Sequence, residues 1–210
     1  NGVGNISVSG CTVNITGDFN TETRAITLGG IMGGSNGTNG NSLVGDIVIE
    51  NCLFACDTFH GNGYDNGGIL GGYNGAVSGH VENISITGCR LSCNKILFDG
   101  PLSDANNLAL ACILGGGNGD ESGNVVGIIT IYNCIVESPT VEFIGGKLFL
   151  ANSLILGGYN NGGAINITNS RVFMENFTCN IEHGYGGWDL NIGILIGGHN
   201  TTTSVSVSGC

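Results

Sequence analysis

The sequence is short of proline, methionine and tryptophan, with two, two and one in 210 residues, and shorter still of charge, with five Lys and Arg against sixteen Asp and Glu. So few basic groups argue against a nucleic-acid partner, because a formal net charge of −11 repels phosphate backbones and anionic lipid surfaces. No apolar run approaches the roughly 18–20 residues that a spanning helix needs, so membrane insertion is not expected. No basic-then-apolar signal stretch opens the chain, and Asn1 in place of Met reads as the start of a mature or excised segment. The near absence of proline, with no three-residue glycine period, excludes collagen.

Forty glycines and 27 asparagines are present instead. Gly costs about 1 kcal/mol against Ala inside a helix, and Asn, Ser, Thr, Val and Ile are indifferent helix formers, so a mostly helical fold would oppose its own residues. Disorder is a poor reading too, since 41% of the residues are hydrophobic and only 10% are charged. Nine cysteines are many for a reducing compartment, and seven N-x-S/T sequons begin at Asn5, Asn14, Asn36, Asn83, Asn166, Asn176 and Asn200. Together they point to the secretory route and a secreted or cell-surface protein.

Self-similarity recurs at about forty residues. An apolar-Gly-Gly-x-Asn phrase appears as IMGGSN at Ile31, ILGGYN at Ile69, ILGGGN at Ile113, ILGGYN at Ile155 and LIGGHN at Leu195. An alternating phrase appears as ISVSGC at Ile6, IVIENC at Ile47, ISITGC at Ile84, ITIYNC at Ile129, INITNS at Ile165 and VSVSGC at Val205. Alternation of Ile or Val with polar residues marks a half-buried strand, with Ile47/Ile49, Ile84/Ile86, Ile129/Ile131 and Ile165/Ile167 facing inward. Gly10, Asn51, Gly88, Asn133, Asn169 and Gly209 then stand where a left-handed backbone would make a corner. Past it, the inward series runs Cys52, Phe54, Cys56, then Cys89, Leu91, Cys93, then Cys134, Val136, then Ser170, Val172, Met174.

A chain that repeats one strand-corner-strand phrase closes best by stacking each copy on the last. The expectation is all-β: a parallel β-helix, or β-solenoid, of about five coils of about 40 residues. It would form one domain over 1–210, with two or three short strands per coil and a right-handed course favoured. At about 4.8 Å per rung its body would be on the order of 25 Å long. The loop from Asp99 to Asn107, with Pro101, is the clearest excursion.

The segment GGILGGYNGAVSGHVENISITGC, residues 67 to 89, resembles the GLUG-motif repeats of bacterial and protist surface proteins. Those pair a Gly-Gly-apolar-apolar-Gly phrase and an Asn with a following I-x-N-C-like strand. The tyrosine that usually follows their N-C is replaced here by Leu53, Arg90, Ile135 and Arg171. The resemblance implies a right-handed β-helix in large extracellular or adhesin-like proteins, and it implies no catalytic residues.

Several columns would carry chemistry. Cys11, Cys52, Cys89, Cys134 and Cys210 occupy one repeat position, with Ser170 in the gap, and Cys56 and Cys93 occupy a second. Stacked, they form either disulfides or a ladder of buried thiols, and an odd total leaves one thiol over unless chains cross-link. Asn36, Asn74, Asn118, Asn160 and Asn200 would make an amide ladder, which denies glycans to Asn36 and Asn200. Strand parity turns Asn5, Asn14, Asn83 and Asn166 outward, and with Asn176 these are the candidate glycosylation sites. Two Cys-x3-His pairs, Cys56/His60 and Cys179/His183, have the spacing of zinc half-sites, but nothing completes them and no metal is expected. The runs at Gly61 and Gly116 lack the tandem spacing of calcium turns and read as solvated loops. Tyr185 and Trp188 would stack on a sugar ring, with packing of the Trp against the solenoid as the plainer role.

Sugar-cleaving enzymes need paired carboxylates, which this chain does not supply in any recurring position, so neither a catalytic site nor a cofactor is expected. A structural component of an extracellular surface protein or filament is preferred, and a glycan- or surface-binding adhesin module is the alternative. The phrase NISVSGC at Asn5 returns as SVSVSGC at Ser204. The two ends would thus be complementary and join head to tail, to another copy or to further repeats.

Overall fold

The corner column sets the shape of each turn. Asn51, Asn133 and Asn169 adopt φ of 53°, 53° and 52°, and Gly10, Gly88 and Gly209 adopt 64°, 63° and 65°, so all six expected corner residues are left-handed. Asn and Gly tolerate that conformation, whereas the β-branched residues that fill the preceding strands do not. The chain turns sharply there and starts a new face. In the computed structural model the described residues are 4–20, 29–36, 43–61, 65–75, 79–100, 109–119, 126–146, 150–182 and 190–210.

These residues build a parallel β-helix with three faces and, among them, no helix. The first sheet stacks Ile6–Ser9, Leu43–Glu50, His80–Thr87, Val126–Tyr132, Tyr159–Thr168 and His199–Ser208 in chain order. Its register carries Ile47 onto Ile84, Ile129, Ile165 and Val205, and Ile49 onto Ile86, Ile131, Ile167 and Val207. The second sheet follows the corner, with Leu53–Gly61 and Arg90–Gly100 as its long strands. The third holds Asp65–Gly67, Ala109–Ala111, Leu150–Ser153 and Leu190–Gly193. Four turns place a strand in all three sheets, slightly fewer than the five coils expected, because the turn before them is described only over 4–20 and 29–36.

The core is a set of columns. Ile47, Ile49, Ile84, Ile86, Ile129, Ile131, Ile165 and Ile167 are fully buried, as their parity requires. Each Ile sealed from water contributes about 1.5–3 kcal/mol, and only a neighbouring turn can seal it. That dependence explains the edges. Val205 and Val207 lie in the same columns yet are exposed, because they have a rung on one side only.

The inward series of the second sheet holds for Cys52, Phe54, Cys56, Cys89, Leu91, Cys93, Cys134 and Val136, but Met174 departs from it. It follows Arg171–Phe173, an edge strand of the sheet, so Met174 lacks a covering turn and is exposed. A second column crosses the same face. Phe19, Phe59, Phe98, Phe143 and Phe177 follow one another with ring centroids 5.6, 6.0, 5.1 and 5.5 Å apart, alternating stacked and edge-on. Such contacts add about 0.5–1.5 kcal/mol each beyond burial.

Candidate functional site

The Leu-Gly-Gly turn that closes the third face leads directly into the amide ladder. Gly116 and Gly158 both adopt φ of 83°. A Cβ on Gly116 would stand 2.1 Å from the Gly72 carbonyl oxygen, and one on Gly158 would stand 2.0 Å from that of Gly116. Glycine is therefore required twice over, by φ and by the stacked backbone beneath. Two residues further on, Asn36 Nδ2 donates to Asn74 Oδ1 at 2.8 Å, and Asn74 donates to Asn118, Asn118 to Asn160 and Asn160 to Asn200, each at 2.9 Å. All four bonds run the same way along the stack. Asn200 Nδ2 turns back to the carbonyls of Gly197 and Gly198.

The thiol column beside the corner has its own bonding rule. Each Sγ lies near the carbonyl two residues earlier: Cys52 to Glu50 at 3.3 Å, Cys89 to Thr87 at 3.5 Å and Cys134 to Tyr132 at 3.5 Å. Ser170 repeats the bond with its hydroxyl, to Thr168 at 3.3 Å, which is why Ser fits the gap in the column. All nine cysteines are free thiols, so the disulfide alternative is not what the fold adopts. In-register parallel strands hold equivalent Cβ atoms near the rung spacing of about 4.8 Å, beyond the roughly 3.5–4.5 Å that a disulfide needs. A further thiol, Cys112, is fully buried beyond this column, and desolvation pushes its ionisation well above the ordinary value.

The second sheet bends again after Cys56, and along that bend runs an open groove of about 860 Å³. Asn14, Ala55, Ser92, Glu137 and Phe173 are register partners on five successive turns and form one bank. The next residues, among them Cys56, Cys93 and Ser138, form the floor, and Asp57, Asn94, Pro139 and Glu175 the other bank. Arg90 pairs with Glu137 within the groove, and Asn94 Nδ2 lies 3.5 Å from Asp57 Oδ1. Three carboxylates against one guanidinium give the lining an acidic balance. Interaction with its neighbour Cys56 holds the Cys93 thiol below the ordinary value, while interaction with Cys93, together with burial, holds Cys56 above it. The Ser138 hydroxyl donates to the Thr140 carbonyl at 2.8 Å.

The same bend separates Cys56 from His60. Between Cys56 and Phe59, both buried, the parity of the strand flips, so His60 leaves the inward row. Its Nε2 meets Asp99 Oδ1 at 2.6 Å on the next turn. Cys56 and His60 therefore do not converge. Among the described residues no group of three or more His, Cys, Asp or Glu is placed to hold a metal ion.

The sequon asparagines are dispersed over the surface. Asn5, Asn14 and Asn176 are exposed, and Asn83 and Asn166 are half-buried on the outer face of the first sheet. Asn5 and Asn83 belong to an outer ladder: Asp46 N donates to Asn5 Oδ1, Asn83 Nδ2 to Asp46 Oδ1, and Ile128 N to Asn83 Oδ1. Tyr185, Trp188 and His183 lie outside the described residues, as do parts of both glycine-rich runs and the loop from Pro101. No family model, curated protein or solved structure matches the chain.

Proposed function

We propose that this chain is a structural segment of an extracellular surface protein or filament, glycosylated on its outer face and extended head to tail by further turns. The observation that carries this reading is the direction of the amide ladder, in which every Nδ2 donates toward the higher-numbered turn. A turn stacked before Asn36 would donate to it, and one stacked after Asn200 would accept from it, so only a head-to-tail addition continues the bonding. The added turn is a second copy of the chain or a further repeat. The likeness of residues 67 to 89 to GLUG-motif surface repeats and the outward sequons support the same setting.

Electron microscopy and light scattering of the native material test this. Elongated particles of variable length, with a repeat set by the rung spacing of about 4.8 Å, are expected. Compact particles of one size would sink the filament reading and favour the adhesin one. The groove is what recommends that alternative. It spans five turns, exposes Phe173 beside amides and a hydroxyl, and its acidic balance suits a neutral glycan chain better than an anionic one.

A further inference from the structure

We propose that Cys56 and Cys93, at the floor of the groove, form a two-thiolate site for one soft monovalent cation of the Cu(I) or Ag(I) type. The two residues are direct register partners on neighbouring turns. Each is 7% exposed, and both line the groove, so an ion reaches them from solvent. In the corner column, by comparison, Cys52, Cys89 and Cys134 are buried outside the groove while Cys11 and Cys210 stand exposed at its two ends, and Cys112 is fully buried elsewhere.

Geometry selects the ion. Two thiolate–metal bonds of about 2.3 Å, taken from zinc, span about 4.6 Å when in line, close to the rung spacing of about 4.8 Å. A cation midway between the sulfurs is therefore held linearly, with no movement of the backbone, where a disulfide would have to draw the strands together. Zinc requires four ligands and calcium six or more oxygens, and neither set is assembled among the described residues. Soft thiolate ligands select soft ions, for which two sulfurs suffice. Binding is proton exchange: two thiols release two protons, the ion gains two sulfurs, and nothing is oxidised or reduced.

The experiment is a titration of the reduced full chain with silver nitrate. Native mass spectrometry would give stoichiometry, and competition with a soluble thiol would give affinity. One tight equivalent is expected. It should be lost in both Cys56→Ser and Cys93→Ser, by more than the roughly 10–100-fold that removing an outer hydrogen-bonding partner of a ligand costs. It should persist in Cys89→Ser and Cys179→Ser. Serine already follows the same bank at Ser138, so the groove variants keep the fold, and thermal melts verify it. Survival of the tight equivalent in Cys56→Ser, or its loss in Cys179→Ser, would overturn the assignment.

Discussion

Asn118 is the residue whose removal tests the ladder most severely. Its Oδ1 accepts from Asn74 and its Nδ2 donates to Asn160, both at 2.9 Å, and the Gly115 carbonyl lies 3.5 Å from the same nitrogen. All of these groups are buried. Asn118→Ala leaves the Asn74 donor and the Asn160 acceptor without partners, and each orphaned buried group costs about 1–3 kcal/mol. The sum is about 4 kcal/mol before the small cavity is counted. Asn36→Ala strips only one acceptor, on Asn74, at a partly buried site, and should cost about 1–2 kcal/mol. Urea denaturation of both variants, followed by circular dichroism at one temperature, gives the difference directly. Equal losses in the two variants would mean that the amides merely fill space.

Asn118→Asp adds a pH axis to the same test. The carboxylate still accepts from Asn74, but it has no proton to give Asn160 Oδ1, and burial disfavours its charge. Its folded pKa would therefore stand above the unfolded value of about 3.9, so the unfolded state ionises first as pH rises. The variant should approach wild-type stability below about pH 4 and lose ground progressively above it. A penalty that is flat between pH 3 and 7 would refute the donor requirement.

Three further outcomes are expected. Ile86→Asp places a charge between Ile49 and Ile131 in a fully buried column and should cost well over 3 kcal/mol, read as a large drop in the melting temperature. Gly116→Ala must overcome both φ and a 2.1 Å clash, whereas Gly10→Ala, at φ 64° with nothing within 4 Å, faces only the left-handed penalty of about 1–2 kcal/mol. Gly116→Ala should be the more damaging by thermal melt, and equal effects would deny the close approach. Intact mass with and without glycosidase, on material secreted by a eukaryotic cell, should show glycans on some of Asn5, Asn14, Asn83, Asn166 and Asn176. Peptide mapping should find none on Asn36 or Asn200, whose amides lie in the inward-facing ladder, where a glycan has no room.

The corners, the isoleucine columns and the amide ladder were legible because each repeats a residue type at one phase of the repeat. Periodicity fixes which side chains stack, and chemistry then fixes what a stack of amides or isoleucines must do. The second bend was not legible. No single residue type marks it, since Asp57, Asn94, Pro139 and Glu175 share no property, and so the parity flip that turns His60 outward and opens the groove left no pattern. The same flip is why the Cys-x3-His spacing does not bring Cys56 and His60 together. The phenylalanine column was within reach, since Phe19, Phe59, Phe98, Phe143 and Phe177 recur once per repeat. They were hidden because their neighbours in sequence do not recur with them. Met174 failed for another reason: alternation gives the direction of a side chain, whereas burial needs a covering turn.

The thiols bear most directly on the proposed extracellular setting, because nine unpaired cysteines are unusual where disulfides form readily. The ladder removes the contradiction. Cysteines at one repeat position point the same way from parallel strands, so their separation is set by the rung, and the rung is too long for a relaxed disulfide. Most of the column is also sealed from dissolved oxidants, with Cys89 and Cys134 fully buried. Ser170 shows what the position demands: a small side chain that bonds the carbonyl two residues before it, at the corner where a left-handed Asn or Gly has just turned the chain. Sulfur meets that demand and fills more apolar volume than oxygen does. Cysteine spacing equal to the repeat length is therefore a signature of stacking, and it argues against the disulfide framework that the same number of cysteines would indicate in a chain without a repeat.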